Sequence, residues 1–119
     1  MRIAITAVGK DLESEVDQRF ARACYFQVFS SDGSLIEVID NRRNVCSAFP
    51  PRDEICALLL DKGVDLVVTG RFVLGARKAL QCAGIRMLEQ PLATVREAIQ
   101  LAIGVRPDPG PTEAQMGVS

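Results

Sequence analysis

Apolar residues follow two different rhythms along this chain, and the change between them marks out the elements. Arg2 to Val8 reads Arg-Ile-Ala-Ile-Thr-Ala-Val, apolar at nearly every position, as expected of a strand buried on both faces. Gly9 to Ala23 is polar and acidic, with Asp11, Glu13, Glu15 and Asp17, and reads as a long loop. Tyr25 to Ser30 and Leu35 to Asp40 are β-rich runs separated by Ser31-Asp32-Gly33-Ser34. Asp-Gly accepts positive φ cheaply, so this spacing predicts an antiparallel hairpin.

The helical rhythm begins after a second long loop, Asn41 to Pro51. Arg52 to Lys62 has Ile55, Leu58 and Leu59 on one stripe. Pro51 sits at its start, Asp53 and Glu54 in its first turn, and Gly63 just past its end. Val64 to Thr69 is a buried strand, Gly70 to Phe72 a tight connection, and Val73 to Ala83 a helix closed by Gly84. Ile85 to Leu88 is a short strand. Leu92 to Ile103 is a last helix striped by Val95, Ala98, Ile99 and Ala102, with Thr94 and Glu97 spaced as a capping box. Residues 1–103 therefore form one domain. Residues 104–119, with Pro107, Pro109, Gly110 and Pro111, read as a flexible tail.

The order β-β-β-α-β-α-β-α implies an α/β fold with one five-stranded mixed sheet flanked by helices. Crossover rules favour the strand order 3-2-1-4-5, with the second strand antiparallel. Ligands in open α/β sheets gather beyond the carboxyl ends of the parallel strands. The first and fourth strands lead there into Gly9-Lys10-Asp11 and Thr69-Gly70-Arg71-Phe72, and the loop after the third strand brings Arg42, Arg43 and Cys46.

Charge sharpens this picture. The net charge is −1, so the whole chain has no pull toward nucleic acid or anionic membranes. Yet Lys occurs only at Lys10, Lys62 and Lys78, while Arg is abundant. Arg presents a planar fork of directed donors suited to multi-atom anions, although coding bias produces the same excess. Asp17-Gln18-Arg19-Phe20-Ala21-Arg22-Ala23-Cys24-Tyr25-Phe26 places two arginines and an aromatic just ahead of a strand. Either Arg19 and Arg22 face an anion, or they pair with Asp17, Glu15 or Glu13. In Thr69-Gly70-Arg71-Phe72, Gly70 allows close backbone approach, the following helix start offers free N–H groups, and Arg71 adds a charge. An ordinary turn with a solvated Arg71 is the competing reading, as a solvated loop is for Arg42 and Arg43.

There is no histidine, which closes Ser-His-Asp and Cys-His catalysis. Neither a Gly-x-Gly-x-x-Gly nor a P-loop signature occurs. The first strand lacks the carboxylate a two-metal nuclease needs there. Of four cysteines, Cys56 and Cys82 lie in helical stretches and read as packing residues, and Cys24 is ambiguous. Cys46, between Arg43 and Phe49, is the candidate thiolate and metal ligand. Met1-Arg2 runs directly into a strand, so no leader is expected and reduced thiols in a cytoplasmic setting follow.

Three segments carry a family resemblance. Asp17-x-Arg19-Phe20-x-Arg22-Ala23-x-Tyr25-Phe26, Lys62 to Gly70 and Ala83-Gly84-Ile85 resemble the dinitrogenase iron–molybdenum cofactor biosynthesis family. This is the domain of NifX-type carriers and of the C-terminal part of NifB, with orange-protein-like stand-alone members that carry a molybdenum–copper–sulfide cluster. The resemblance spans about residues 1–103 and implies a ribonuclease-H-like fold. It also implies a non-enzymatic protein that holds an anionic metal–sulfur cluster of Mo/Cu/S or Fe-Mo-S type, or its precursor, non-covalently. Its partners would be cluster donor and acceptor proteins, with an ATPase or redox protein as further candidates, and neither nucleic acid nor membrane. Transferred to this chain, the cluster-binding residues are Arg19, Phe20, Arg22, Arg43, Cys46, Thr69, Gly70, Arg71 and Phe72. The chain departs from the family with Ala21 in place of Gly, Leu74-Gly75 in place of Gly-Pro, and a loop after the third strand without glycine or histidine. A regulatory protein–protein interaction module without metal is the alternative.

Overall fold

The structure, a computed structural model, describes residues 1–104. Five strands form one sheet: β1 (Arg2–Ala7), β2 (Tyr25–Ser30), β3 (Leu35–Asp40), β4 (Val64–Thr69) and β5 (Arg86–Glu89). Their order is β3-β2-β1-β4-β5. β2 runs antiparallel to both of its neighbours, and β1, β4 and β5 are parallel. This is the α/β architecture expected from the element order. The β2–β3 turn uses Gly33 at φ 90°, with the Asp32 carboxylate accepting from the Ser34 N–H.

Three helices cover the sheet: α1 (Arg52–Asp61), α2 (Leu74–Ala83) and α3 (Val95–Gly104). Alternation along the strands divides the core. Ala4, Phe26, Val28 and Val67 face α1 and α2, meeting Ile55, Leu59, Ala76 and Leu80. Ile3, Ile5, Phe29, Leu66 and Val68 face α3, meeting Val95, Ala98, Ile99 and Ala102. The capping box forms as expected: the Thr94 N–H donates to Glu97 Oε1 (2.9 Å) and the Glu97 N–H to Thr94 Oγ1 (3.2 Å).

Several details differ from the sequence expectation. β1 stops at Ala7, and Val8 is exposed as the chain leaves the sheet. α1 ends at Asp61, and Leu58 points outward, whereas Cys56 is buried with Ile55 and Leu59 as a packing residue should be. Cys82 is exposed rather than packed, because it lies on the outer face of α2. β5 is displaced by one residue to Arg86–Glu89. α3 begins at Val95, leaving Leu92 97% exposed in the preceding turn. Gly104 closes α3, and the rest of the expected tail, 105–119, lies outside the described residues.

Candidate functional site

At the carboxyl end of β1 and β4 a buried polar knot organises the loop from 17 to 24. Thr6 and Thr69 are adjacent across the sheet, and the Thr6 hydroxyl donates to Thr69 Oγ1 at 2.7 Å. Both hydroxyls also lie within hydrogen-bond distance of the Asp17 carbonyl, at 2.8 and 3.0 Å. The Asp17 side chain, 2% exposed, accepts from the N–H groups of Arg19 (3.0 Å) and Cys24 (3.2 Å). It accepts as well from Arg19 Nε (3.1 Å) and Nη2 (3.3 Å). That hydrogen bond is the main reason the Arg19 guanidinium holds its proton more tightly than usual. From the other side the Asn41 amide donates to the carbonyls of Ala21 (3.0 Å) and Ala23 (2.8 Å), and Asn44 supports Asn41. A buried polar group is costly without partners, so this full set of bonds fixes the loop's shape.

Arg22 links two loops. Its Nε donates to the Ser47 carbonyl (2.7 Å) and its Nη2 to the Ala48 carbonyl (3.0 Å). The pairing of Arg22 with an acidic residue that the sequence allowed is therefore not what forms, whereas the Arg19–Asp17 pair does form. Phe20 is buried and meets Phe26 edge-on, with centroids 5.6 Å apart.

After β4, Gly70 is close to the chain itself. A Cβ there would come within 2.7 Å of Gln18 Cα, and the Gly70 N–H donates to the Asp17 carbonyl (3.0 Å). The close approach expected of a ligand is thus filled by Gln18. The Phe72 N–H donates to Glu89 Oε2 at 2.9 Å, Arg77 reaches the same oxygen, and the Phe72 ring is buried. Arg71 stands exposed, and its side chain has no partner among the described residues.

Arg19, Arg22, Arg52 and Arg71 line one small pocket of about 80 Å³, with Phe20, Val73 and Ala76 as its apolar wall and no acidic residue in its lining. Cys24, half-buried, and Cys46, exposed, both lie within electrostatic reach of Arg19. Arg43 is not part of this pocket. It lies with Asp40 and Arg42 along an open hollow, where Arg42 holds the Asp40 carboxyl down to about 2. Arg42 and Lys10 sit over the Tyr25 ring at 5.4 and 5.8 Å. Among the described residues no group of three or more His, Cys, Asp or Glu side chains could cage a metal ion. What the site offers is charge and directed N–H donors, with single thiols at its side.

Sequence reasoning did not find Arg52. Its signal is the position: a cation in the first turn of a helix stands against the helix dipole, and such a placement wants an explanation. Asn41 and Gln18 were missed too, because a loop-clamping role is set by contacts distant in sequence.

A family model described as "Dinitrogenase iron-molybdenum cofactor" matches residues 1–104. Among solved structures, a putative NifB protein from Thermotoga, described as belonging to the DUF35 family, is 34% identical. It aligns over 85% of each chain with a TM-score of 0.72. The apo form of the orange protein from Desulfovibrio gigas is 33% identical over 94% of this chain and 96% of its own, with a TM-score of 0.75. A third solved structure, a crystal structure 23% identical with a TM-score of 0.70, shares the fold. No match is found among curated proteins.

Proposed function

This chain belongs to the dinitrogenase iron–molybdenum cofactor family, and from that premise we propose that it is a non-enzymatic carrier of an anionic metal–sulfur cluster or its precursor. The observation that carries this reading is the convergence of Arg19, Arg22 and Arg71 on one acid-free pocket at the loop edge of the sheet. Sulfide-rich clusters bear negative charge. Guanidinium groups answer it with directed, charge-assisted hydrogen bonds and need no covalent ligand. Cargo held by charge is released when a recipient offers stronger ligands, as a carrier requires. Cys46 is exposed and within electrostatic reach of Arg19, which supports it in this reading as a thiol that contacts the cluster. The described chain has no helix long and apolar enough to cross a membrane, and the carrier reading places the protein in the cytoplasm.

Donor and acceptor proteins must reach the same edge. Phe49, 92% exposed, follows the Ala48 carbonyl that Arg22 holds, and Leu74 is exposed at the start of α2. Apolar side chains next to a charged mouth suit transient docking.

The test is anaerobic metal and sulfide analysis, with a visible spectrum, of protein purified from its native host. Stoichiometric molybdenum or iron with acid-labile sulfide is expected, and combined Arg19→Ala and Arg71→Ala substitution should lower that loading severalfold. Unchanged loading in the double variant would remove the site from this pocket. A colourless, metal-free protein that co-purifies with a partner would instead favour the metal-free interaction module.

A further inference from the structure

Two hollows of opposite sign lie side by side at the loop edge of the sheet. Arg19, Arg22 and Arg71 line the smaller, and among the described residues no acidic one does. The larger, about 330 Å³, is lined by Glu15 and Glu97 with Val16, Pro91 and Leu92, and by no basic residue among those described. Gln18 is the wall they share. Its Nε2 donates to the Pro91 carbonyl at 2.5 Å, and its Cα lies 2.7 Å from where a Cβ on Gly70 would stand. Neither charge is fully answered within the chain. Glu15 and Arg71 are exposed and form no ion pair among the described residues. Arg22 is spent on neutral carbonyls, and Glu97 caps its own helix through one carboxylate oxygen while keeping its charge. Large apolar side chains flank both hollows: Leu92 is 97% exposed beside the acidic one, Val73 55% and Leu74 68% beside the basic one. Single exposed apolar residues are ordinary, but three beside uncompensated charge mark a contact surface.

We infer that the occupant of this edge is a second copy of the chain, in an isologous dimer whose two-fold axis passes close to Gln18. Such an interface requires a surface complementary to itself, with residue i meeting residue j and j meeting i. Opposite charges on either side of one shared wall meet that requirement. Half a turn about Gln18 sets the basic hollow of each copy over the acidic hollow of the other. Arg71 of one copy then faces Glu15 of the second, and Leu92 covers Val73 and Leu74. A partner of other sequence would need a basic and an acidic patch at the same spacing, whereas this chain supplies both halves of the match. Charge pairs at an exposed rim orient more than they hold, so the apolar contacts carry the affinity and the dimer is weak and salt-dependent. The second copy covers the mouth of the arginine pocket from outside, and its docking does not depend on what that pocket carries.

Sedimentation velocity tests this on the full chain from about 1 µM to about 500 µM, at about 50 mM and about 500 mM sodium chloride. A reversible monomer–dimer equilibrium is expected, with Kd in the micromolar range and weakened about tenfold by the higher salt. Arg71→Glu and Glu15→Arg each set like charges against one another and should each weaken self-association about tenfold or more. Mixed one to one, the two variants should recover a dimer of wild-type strength, since each supplies the charge the other lacks at both contacts. Leu92→Ser should weaken the dimer without changing its salt dependence. A chain that stays monomeric at every concentration would overturn the inference and leave this edge to unlike partners. So would a dimer indifferent to salt and to both charge reversals, or one that the mixture fails to restore. None of these outcomes bears on the metal and sulfide content of host-purified protein, so the carrier reading stands or falls separately.

Discussion

The two flanks of the arginine pocket treat charge in opposite ways. On the 17–24 flank, Asp17 accepts four hydrogen bonds, two from the Arg19 side chain and two from backbone N–H groups, and Arg22 ties down the carbonyls of Ser47 and Ala48. On the helix flank, Arg52 leaves a buried Nε unpaired and Arg71 stands without a partner among the described residues. Most donors on the first flank are spent on loop shape, whereas Arg71 and the Arg52 Nε on the second make no hydrogen bond among the described residues. The number of arginines alone would not distinguish these roles; the pattern of satisfied and unsatisfied donors does.

The comparison breaks most forcefully at Asp17. Asp17→Ala strands the N–H groups of Arg19 and Cys24 and frees Arg19, turning the satisfied flank into an unsatisfied one. Since Arg19 is 47% exposed and can be solvated, the cost is expected at about 3 kcal/mol, read as a lower urea midpoint with unchanged slope.

Thiol chemistry sets the exposed cysteines against the one buried in the core. Burial pushes Cys56 from 9.0 up to about 11. At neutral pH its thiolate population is then about 100-fold below that of an ordinary cysteine, before any steric protection. Alkylation followed by mass spectrometry should modify the exposed Cys46 and Cys82 first and Cys56 only on unfolding. The sign of the linkage follows. The folded chain binds this proton more tightly, so the associated stability is complete below pH 9.0 and fades as pH rises toward about 11.

The smallest effect belongs to the unanswered flank. Arg71→Ala removes no intramolecular bond and should change stability by less than about 0.5 kcal/mol in the same urea assay, while lowering cluster loading. A large loss of stability would show that Arg71 serves the fold after all.

How much of this was legible in the sequence differs between the fold and the site. Period-two and period-3.6 patterns, the Asp-Gly turn, the Thr94–Glu97 box and the glycines after α1 and α2 are local signals, and they lead to the strand order found. Leu58 left the expected core stripe of α1 because helix rotation is settled by what α2 and the sheet offer, which lies outside any short window.

The site obeys a different rule. Residue order alone brought the loop after β4, with Arg71, to the carboxyl edge of the sheet, since loop position follows from topology, while the convergence of Arg19 and Arg22 on the same pocket is a tertiary outcome. Which arginine is already satisfied depends on atoms far apart in sequence. Arg22 meets carbonyls 25 and 26 residues away, Gly70 is filled by Gln18, and Arg52 is pressed on Gly75. Hydrogen bonds act over about 3 Å and require alignment, so only the folded chain decides which donors are taken and which remain for a ligand.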